Sequence, residues 1–363
     1  MSDSGASGSM DRLMEAWQGE AVVSRFDRPT GTWIFIAVHD TSLGPAVGGC
    51  RMRAYPAPHH GLRDAMRLAE GMTYKWAGIG FPFGGGKSVL AVSRILRGPE
   101  REGLLRRFGG LLNVLRGGYV AGEDLGTTPE DMSILAEETQ HVHARPGELL
   151  DPGPYTALGV FAGIESTVTH TGANAGVIEG LRVLVQGVGD VGVPLARMLA
   201  ERGAKVLLCD LDEARASSLA GEIGGEVVVA EEAYGRECDV YAPCAVGATL
   251  NPGTVEELAC AIVAGSANNQ LDSPRVADRL AERGIVYVPD YIVNAGGATA
   301  LPLVAEGATE ERIRERVLQV GATVSDILRR AQQSGATPAE AADERVRETL
   351  ARAARGELQL TVS

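Results

Sequence analysis

Apolar and polar positions along this chain follow two periods. In the first half, β-branched and aromatic residues gather in short runs, Glu20 to Arg25 and Trp33 to Asp40, which predict strands. Leu62, Ala65, Met66, Ala69 and Met72 then recur at helical spacing and predict a helix over Leu62 to Ala77, with Lys75 one turn beyond Met72 on the same face. Gly78 to Gly86 reads as a glycine-rich loop and Ser88 to Val92 as the next strand. A helix fits Gly103 to Leu115, and a short strand, Gly118 to Ala121, leads to the acidic pair Glu123-Asp124. Thr128-Pro129-Glu130-Asp131 has the marks of a helix start: a hydroxyl cap, proline at the first position and acids in the first turn.

Arg145 to Pro154 is turn chemistry and predicts a domain boundary. Beyond it the pattern alternates. A helix over Thr156 to His170 precedes strand-like Leu181 to Gln186, and Lys205 to Cys209 is a second strand. Segments at Glu213 to Ile223, Val227 to Val229, Val240 to Tyr241, Val255 to Leu258, Ile262 to Gly265 and Ile285 to Val288 continue the alternation. This is the βαβ signature of a doubly wound parallel sheet. The expected fold is therefore α/β with two domains: an N-terminal α/β substrate domain over 16–148 and a Rossmann domain over 149–334. A disordered Ser/Gly-rich tail precedes them, Met1 to Met10 and on to about residue 15. The tail from Glu310 to Arg355 is expected to be helical, with about 335–356 returning to the first domain.

Between the two strands of the second half stands Gly187-Val188-Gly189-Asp190-Val191-Gly192. The first glycine allows a tight turn, the second lets a pyrophosphate approach the backbone, and the third lets the helix from Val191 to Arg202 pack on the sheet. That helix presents its N-terminus to the phosphates. Asp210 ends the second strand, where a carboxylate accepts hydrogen bonds from the adenosine ribose and repels a 2′-phosphate, so NAD is expected over NADP.

Charge and cysteine usage narrow the partners. With 34 basic and 47 acidic residues the chain carries a formal charge of -13, which disfavours nucleic acid and anionic membrane. Five cysteines, without any Cys-x-x-Cys pair, point to reduced thiols in a cytoplasm and away from a metal site. No apolar run has transmembrane length.

The remaining chemistry lies in the first half. Lys87 follows Gly84-Gly85-Gly86, and Asp124 follows Gly122 and Glu123. A phosphate-binding P-loop would need glycine where Phe81 stands, so that reading fails. Two ammonium groups, Lys75 and Lys87, brought into one pocket would each disfavour the other's charge and leave one as a base near neutral pH. The glycine run is expected to clear room for a small molecule beside Lys87. Asp124 would hold a substrate ammonium and relay a proton. Asn268 and Asn294 each follow a strand-like run, where ligands of parallel sheets bind. His59, His60, His141 and His143 read as exposed histidines, and Cys244 as a small packed thiol.

With these motifs in place, the chain resembles the leucine/phenylalanine/valine branch of the Glu/Leu/Phe/Val amino-acid dehydrogenases. The matching stretches are Leu43 to Gly49, Gly71 to Lys75, Gly84 to Lys87, Glu123 to Thr128, Pro154 to Ala157, the glycine fingerprint, Tyr241 to Ala245, Gly265 to Gln270 and Pro289 to Gly297. The resemblance implies that Lys75 pairs with the substrate carboxylate, that Lys87 is the general base on water, and that Asp124 binds the amino group and exchanges protons with Lys87. It implies further that Gly48, Gly49 and Met72 line the substrate site and that Asn268 helps hold substrate. Thr156, Cys244, Ala245 and Asn294 would lie beside the cofactor. The implied reaction is reversible: L-amino acid, NAD and water give 2-oxo acid, ammonia and NADH, inside a closing cleft and in a homo-oligomer.

Relatives that favour branched aliphatic substrates tend to carry alanine at Gly122 and valine at Ala298 and Leu301. The smaller residues at 122 and 298 imply a larger apolar pocket and an aromatic substrate, phenylalanine or tryptophan, ahead of leucine or valine. Cys50 departs from the usual threonine, and Leu301 to Ala308 lacks the usual acids. Two other functions fit the same motifs, an aromatic-amino-acid-using biosynthetic enzyme and a silent NADH-sensing regulator.

Overall fold

The computed structural model describes residues 10–143 and 151–362. The expected tail through residue 9 and most of the expected boundary at Arg145 to Pro154 lie outside them. The chain divides into two compact units, Met1–Leu149 with Thr349–Ser363, and Leu150–Glu348. Where a tail was expected to run to about residue 15, Met10–Trp17 is helix α1, and Leu13, Met14 and Trp17 pack against an apolar cluster.

The first unit is built on a mixed sheet of β1 (Ala21–Asp27), β2 (Thr32–Asp40), β3 (Ala46–Ala54), β4 (Gly84–Val92) and β5 (Tyr119–Glu123), in the order β1-β2-β4-β3-β5. Alternation decides its faces. Ile34, Ile36, Cys50 and Leu90 join Leu104, Leu105 and Phe108 of α3 (Gly98–Val114) in one cluster. Phe35, Ala37, Val89 and Ala91 join Leu62, Ala65, Met66 and Ala69 of α2 (Pro58–Ile79) in another. Helix α4 (Pro129–Glu138) begins as its sequence predicts, with a capping box between Thr128 and Asp131.

One expectation fails here and one strand goes unanticipated, for related reasons. The glycine run expected in a loop is the start of β4, whose nine residues are all buried. A Cβ on Gly85 would fall 2.0 Å from Thr73 Oγ1 and 2.4 Å from Ala69 O, and one on Gly86 would fall 2.6 Å from the Tyr119 ring. These glycines admit α2 and Tyr119 rather than a ligand. Strand β3 escapes the sequence pattern because two glycines and two arginines interrupt its hydrophobic alternation; it nevertheless pairs in parallel with both β4 and β5.

The second unit holds the parallel sheet. Its strands are β6 (Arg182–Gln186), β7 (Lys205–Cys209), β8 (Glu226–Val227), β9 (Val240–Pro243), β10 (Ile262–Val263) and β11 (Val286–Tyr287), in the order β11-β10-β9-β6-β7-β8. Its helices run from α5 (Pro152–Thr171), α6 (Gly192–Glu201) and α7 (Glu213–Ile223) through α8 (Pro252–Glu257), α9 (Arg275–Glu282), α10 (Asp290–Val293) and α11 (Gly296–Ala305) to α12 (Glu310–Ser334) and α13 (Pro338–Ala354). Most of α13 stays with this unit instead of returning to the first. Ala341 and Ala342 enter its core, and Tyr291 donates a hydrogen bond to Asp343 (2.8 Å).

Candidate active site

In the first unit, adjacent strands bring an ammonium and a carboxylate together. Register pairs Gly49 of β3 with Gly122 of β5 and Cys50 with Glu123, one residue before Asp124. Lys87, on β4, is 5% exposed and its Nζ lies 3.1 Å from Asp124 Oδ1. Gly49 makes this approach feasible: a Cβ there would sit 2.7 Å from the Asp124 Cβ and 3.0 Å from Lys87 Nζ. Gly48 is closed in the same way, by Gly86 O at 1.8 Å, with Met72 Cγ of α2 at 3.3 Å. Gly122 differs, because no atom lies within 4 Å of the position a Cβ would take. Lys75 is half-buried on α2, three residues beyond Met72. Asp124 N–H donates to Thr127 Oγ1 (3.0 Å), which donates in turn to Cys50 O (2.9 Å).

Electrostatics tune both groups. Burial lowers the Lys87 pKa, Asp124 raises it and Arg51 lowers it further; the net direction is down. Burial works to raise the Asp124 pKa, but the charges of Lys87 and Arg51 hold it below the usual carboxylate range. The sequence suggested Lys75 as the cation that poises Lys87. A further cation, Arg51, is in direct contact with Asp124, with Nε 2.8 Å from Asp124 Oδ2. It was missed because an arginine inside an unrecognised strand carries no motif. The Cys50 thiol, fully buried, is pushed up to about 12 and stays protonated.

In the second unit, the glycine fingerprint forms the turn between β6 and α6. Gly187 takes φ +96°, and a Cβ there would meet Ala245 at 2.8 Å. A Cβ on Gly192 would meet Gly187 O at 1.8 Å, whereas nothing lies within 4 Å at Gly189. The three positions therefore divide as turn, open approach and close packing. Val188 N–H donates to Asp210 Oδ2 (2.8 Å), which ties the turn to the end of β7. Asp190 and Val191 complete the turn, and Asp190 O lies 2.6 Å from where a Gly153 Cβ would stand at the start of α5. The turn follows β6, between β9 and β7, where the strand order reverses; ligands of such sheets bind there.

Other predicted residues of this unit form a second group. Asn294 Nδ2 donates to Asn268 Oδ1 (2.8 Å) and to Ser266 O (3.1 Å), while its buried Oδ1 has no partner. Thr156 Oγ1 lies 2.6 Å from a would-be Gly297 Cβ, at the start of α11, and Ala298 and Leu301 are half-buried one turn apart on that helix. Cys244 is half-buried, with a thiol that burial pushes up. His59 and His60 are exposed as expected, but His141 and His143 are half-buried where the chain pairs with Ala121 of β5.

Residues 28–141 match the family model of the Glu/Leu/Phe/Val dehydrogenase dimerisation domain, and residues 208–354 match that of Glutamate/Leucine/Phenylalanine/Valine dehydrogenase. The chain is 37% identical over 351 residues to leucine dehydrogenase of Bacillus subtilis (strain 168), covering 96% of each. It is 37% identical over 344 residues to phenylalanine dehydrogenase of Thermoactinomyces intermedius, covering 93% of each. Among solved structures, L-tryptophan dehydrogenase from Nostoc punctiforme matches with a TM-score of 0.84 and 34% identity, covering 95% of this chain and 100% of that one.

Proposed function

The chain belongs to the Glu/Leu/Phe/Val dehydrogenase family, and from that premise we propose that it catalyses reversible NAD-linked oxidative deamination of a hydrophobic L-amino acid, phenylalanine first. The observation that carries the chemistry is the buried Lys87 ammonium 3.1 Å from Asp124. In this reading Lys75 pairs with the substrate carboxylate and Asp124 takes the substrate amino group. Once the amino acid has been oxidised to the imine, neutral Lys87 removes a proton from the attacking water and Asp124 exchanges protons with it as ammonia leaves. Gly48 and Gly49 serve the substrate site by letting β4, Lys87 and Asp124 pack closely beside them, Met72 lines it, and Asn268 helps hold the substrate.

The fit to NAD rests on the open position at Gly189, the α6 N-terminus and the carboxylate of Asp210. Thr156, Cys244, Ala245 and Asn294 complete its surroundings, Asn294 with an unpartnered amide oxygen for a carboxamide N–H. When bound, the nicotinamide supplies the hydride acceptor. Phenylalanine is put ahead of leucine because Gly122 leaves open space where a Cβ would stand. Overall identity does not select the substrate, since the leucine dehydrogenase of Bacillus subtilis and the phenylalanine dehydrogenase of Thermoactinomyces intermedius are each 37% identical to this chain. A homo-oligomer is supported by the match to a dimerisation domain, and a cytoplasmic setting by the five free thiols.

NADH formation from a panel of L-amino acids tests the reading. A kcat/KM for phenylalanine well above that for leucine is expected; comparable values remove the aromatic preference. NAD binding without turnover of any amino acid, together with no detectable amination of 2-oxo acids, removes the dehydrogenase reading in favour of a sensor.

A further inference from the structure

Arg51 has no part in the chemistry above, and its surroundings give it one. Its guanidinium spans two carboxylates: Nε donates to Asp124 Oδ2 at 2.8 Å and Nη1 to Asp64 Oδ2 at 3.0 Å. Asp64, on α2, is itself held by Tyr55 OH at 2.7 Å and Arg67 Nη2 at 2.8 Å. Each oxygen of Asp124 thus faces one cation, Oδ2 facing Arg51 and Oδ1 facing Lys87.

We propose that Arg51 is a positioning residue for the deamination reaction: anchored on Asp64, it fixes one oxygen of Asp124 so that the other is presented to Lys87. The inference rests on the reading of Lys87 as the base. Only a planar fork can engage two carboxylates from fixed directions, which is why the position calls for arginine. Its charge adds a second effect by disfavouring the ammonium form of Lys87. The other titratable groups around the pair are Cys50 on β3, Tyr119 and Glu123 on β5, Asp131 on α4 and Asp64 on α2. Burial keeps Cys50 and Tyr119 protonated, so neither replaces Arg51 as a fixed charge.

The test is the pH profile of kcat/KM for phenylalanine deamination in the intact enzyme. R51Q removes the cation, and the acid limb is expected to move up by about one pH unit. R51K keeps a charge but cannot span both carboxylates; its limb stays near that of the wild type while kcat falls roughly 10- to 100-fold. D64N removes a nearby anion and is expected to shift the limb down, so it tests the proposal even if R51Q does not fold. Unmoved limbs in R51Q and D64N would overturn the proposal, as would R51K behaving like R51Q. Failure of the underlying reading looks different: the wild type would not deaminate amino acids, or Lys87→Ala would remain active.

Discussion

In its proposed role as the base, Lys87 is a buried amine whose usefulness depends on being uncharged part of the time. Burial and Arg51 lower its pKa, so in deamination, which needs the free amine, kcat/KM is expected to rise with pH as the proton leaves. Amination of the 2-oxo acid runs the steps backwards, needs the ammonium form and is expected to peak at lower pH. Parallel profiles for the two directions would count against Lys87 as the base. The same burial carries a stability cost. The folded pKa lies below the unfolded one, so between the two the unfolded chain binds more protons and stability rises with pH; below both the cost is complete. Lys87→Met leaves Asp124 paired with Arg51. It is expected to raise Tm while lowering deamination kcat by roughly 10²- to 10⁴-fold. A fall in both would mean that the lysine serves the fold more than the reaction.

At the scale of elements, two glycine-rich segments that look alike in sequence have opposite uses. In β4, Gly85 lies against the backbone and side chain of Thr73. Gly85→Ala is expected to lower stability by about 1–3 kcal/mol, read from denaturant midpoints, because α2 must move away from the strand. In the fingerprint, Gly189 faces open space. Gly189→Ala is expected to leave Tm unchanged and to raise the KM for NAD, read by steady-state kinetics; equal losses of stability in both variants would refute the distinction. The contrast marks what the sequence could convey. Strand β7 and helix α7 have the bounds their periodicity predicts, because apolar patterning there is uninterrupted. The Lys87–Asp124 pair was visible through motifs. Strand β3, and Arg51 with it, stayed hidden because its interior follows neither period, and its strand geometry comes from pairing with β4 and β5.

For the whole molecule, a formal charge of -13 sets two opposing responses to acid. As pH falls from neutrality, exposed carboxylates take up protons and self-repulsion weakens, which favours the compact state. Carboxylates fixed by arginines respond the other way. Asp27, held by Arg107 and Thr30, and Asp64, held by Tyr55 and arginines, both titrate below the usual carboxylate range in spite of burial. Asp124 does the same between Lys87 and Arg51. A depressed folded pKa contributes stability that is present above the unfolded value and is lost as pH falls through the folded one. Tm is therefore expected to hold or rise slightly from pH 8 to about 5, then to fall steeply below about 4, where these carboxylates protonate. Salt separates the two effects, since it screens surface repulsion and leaves buried pairs largely intact. Calorimetry at low and high ionic strength should show the upper part of the profile flattening with salt and the acid limb remaining. Asp27→Asn should lower Tm at neutral pH and make the acid limb shallower, because one of the groups that produces it has been removed; an acid limb of unchanged steepness would place the loss elsewhere in the chain.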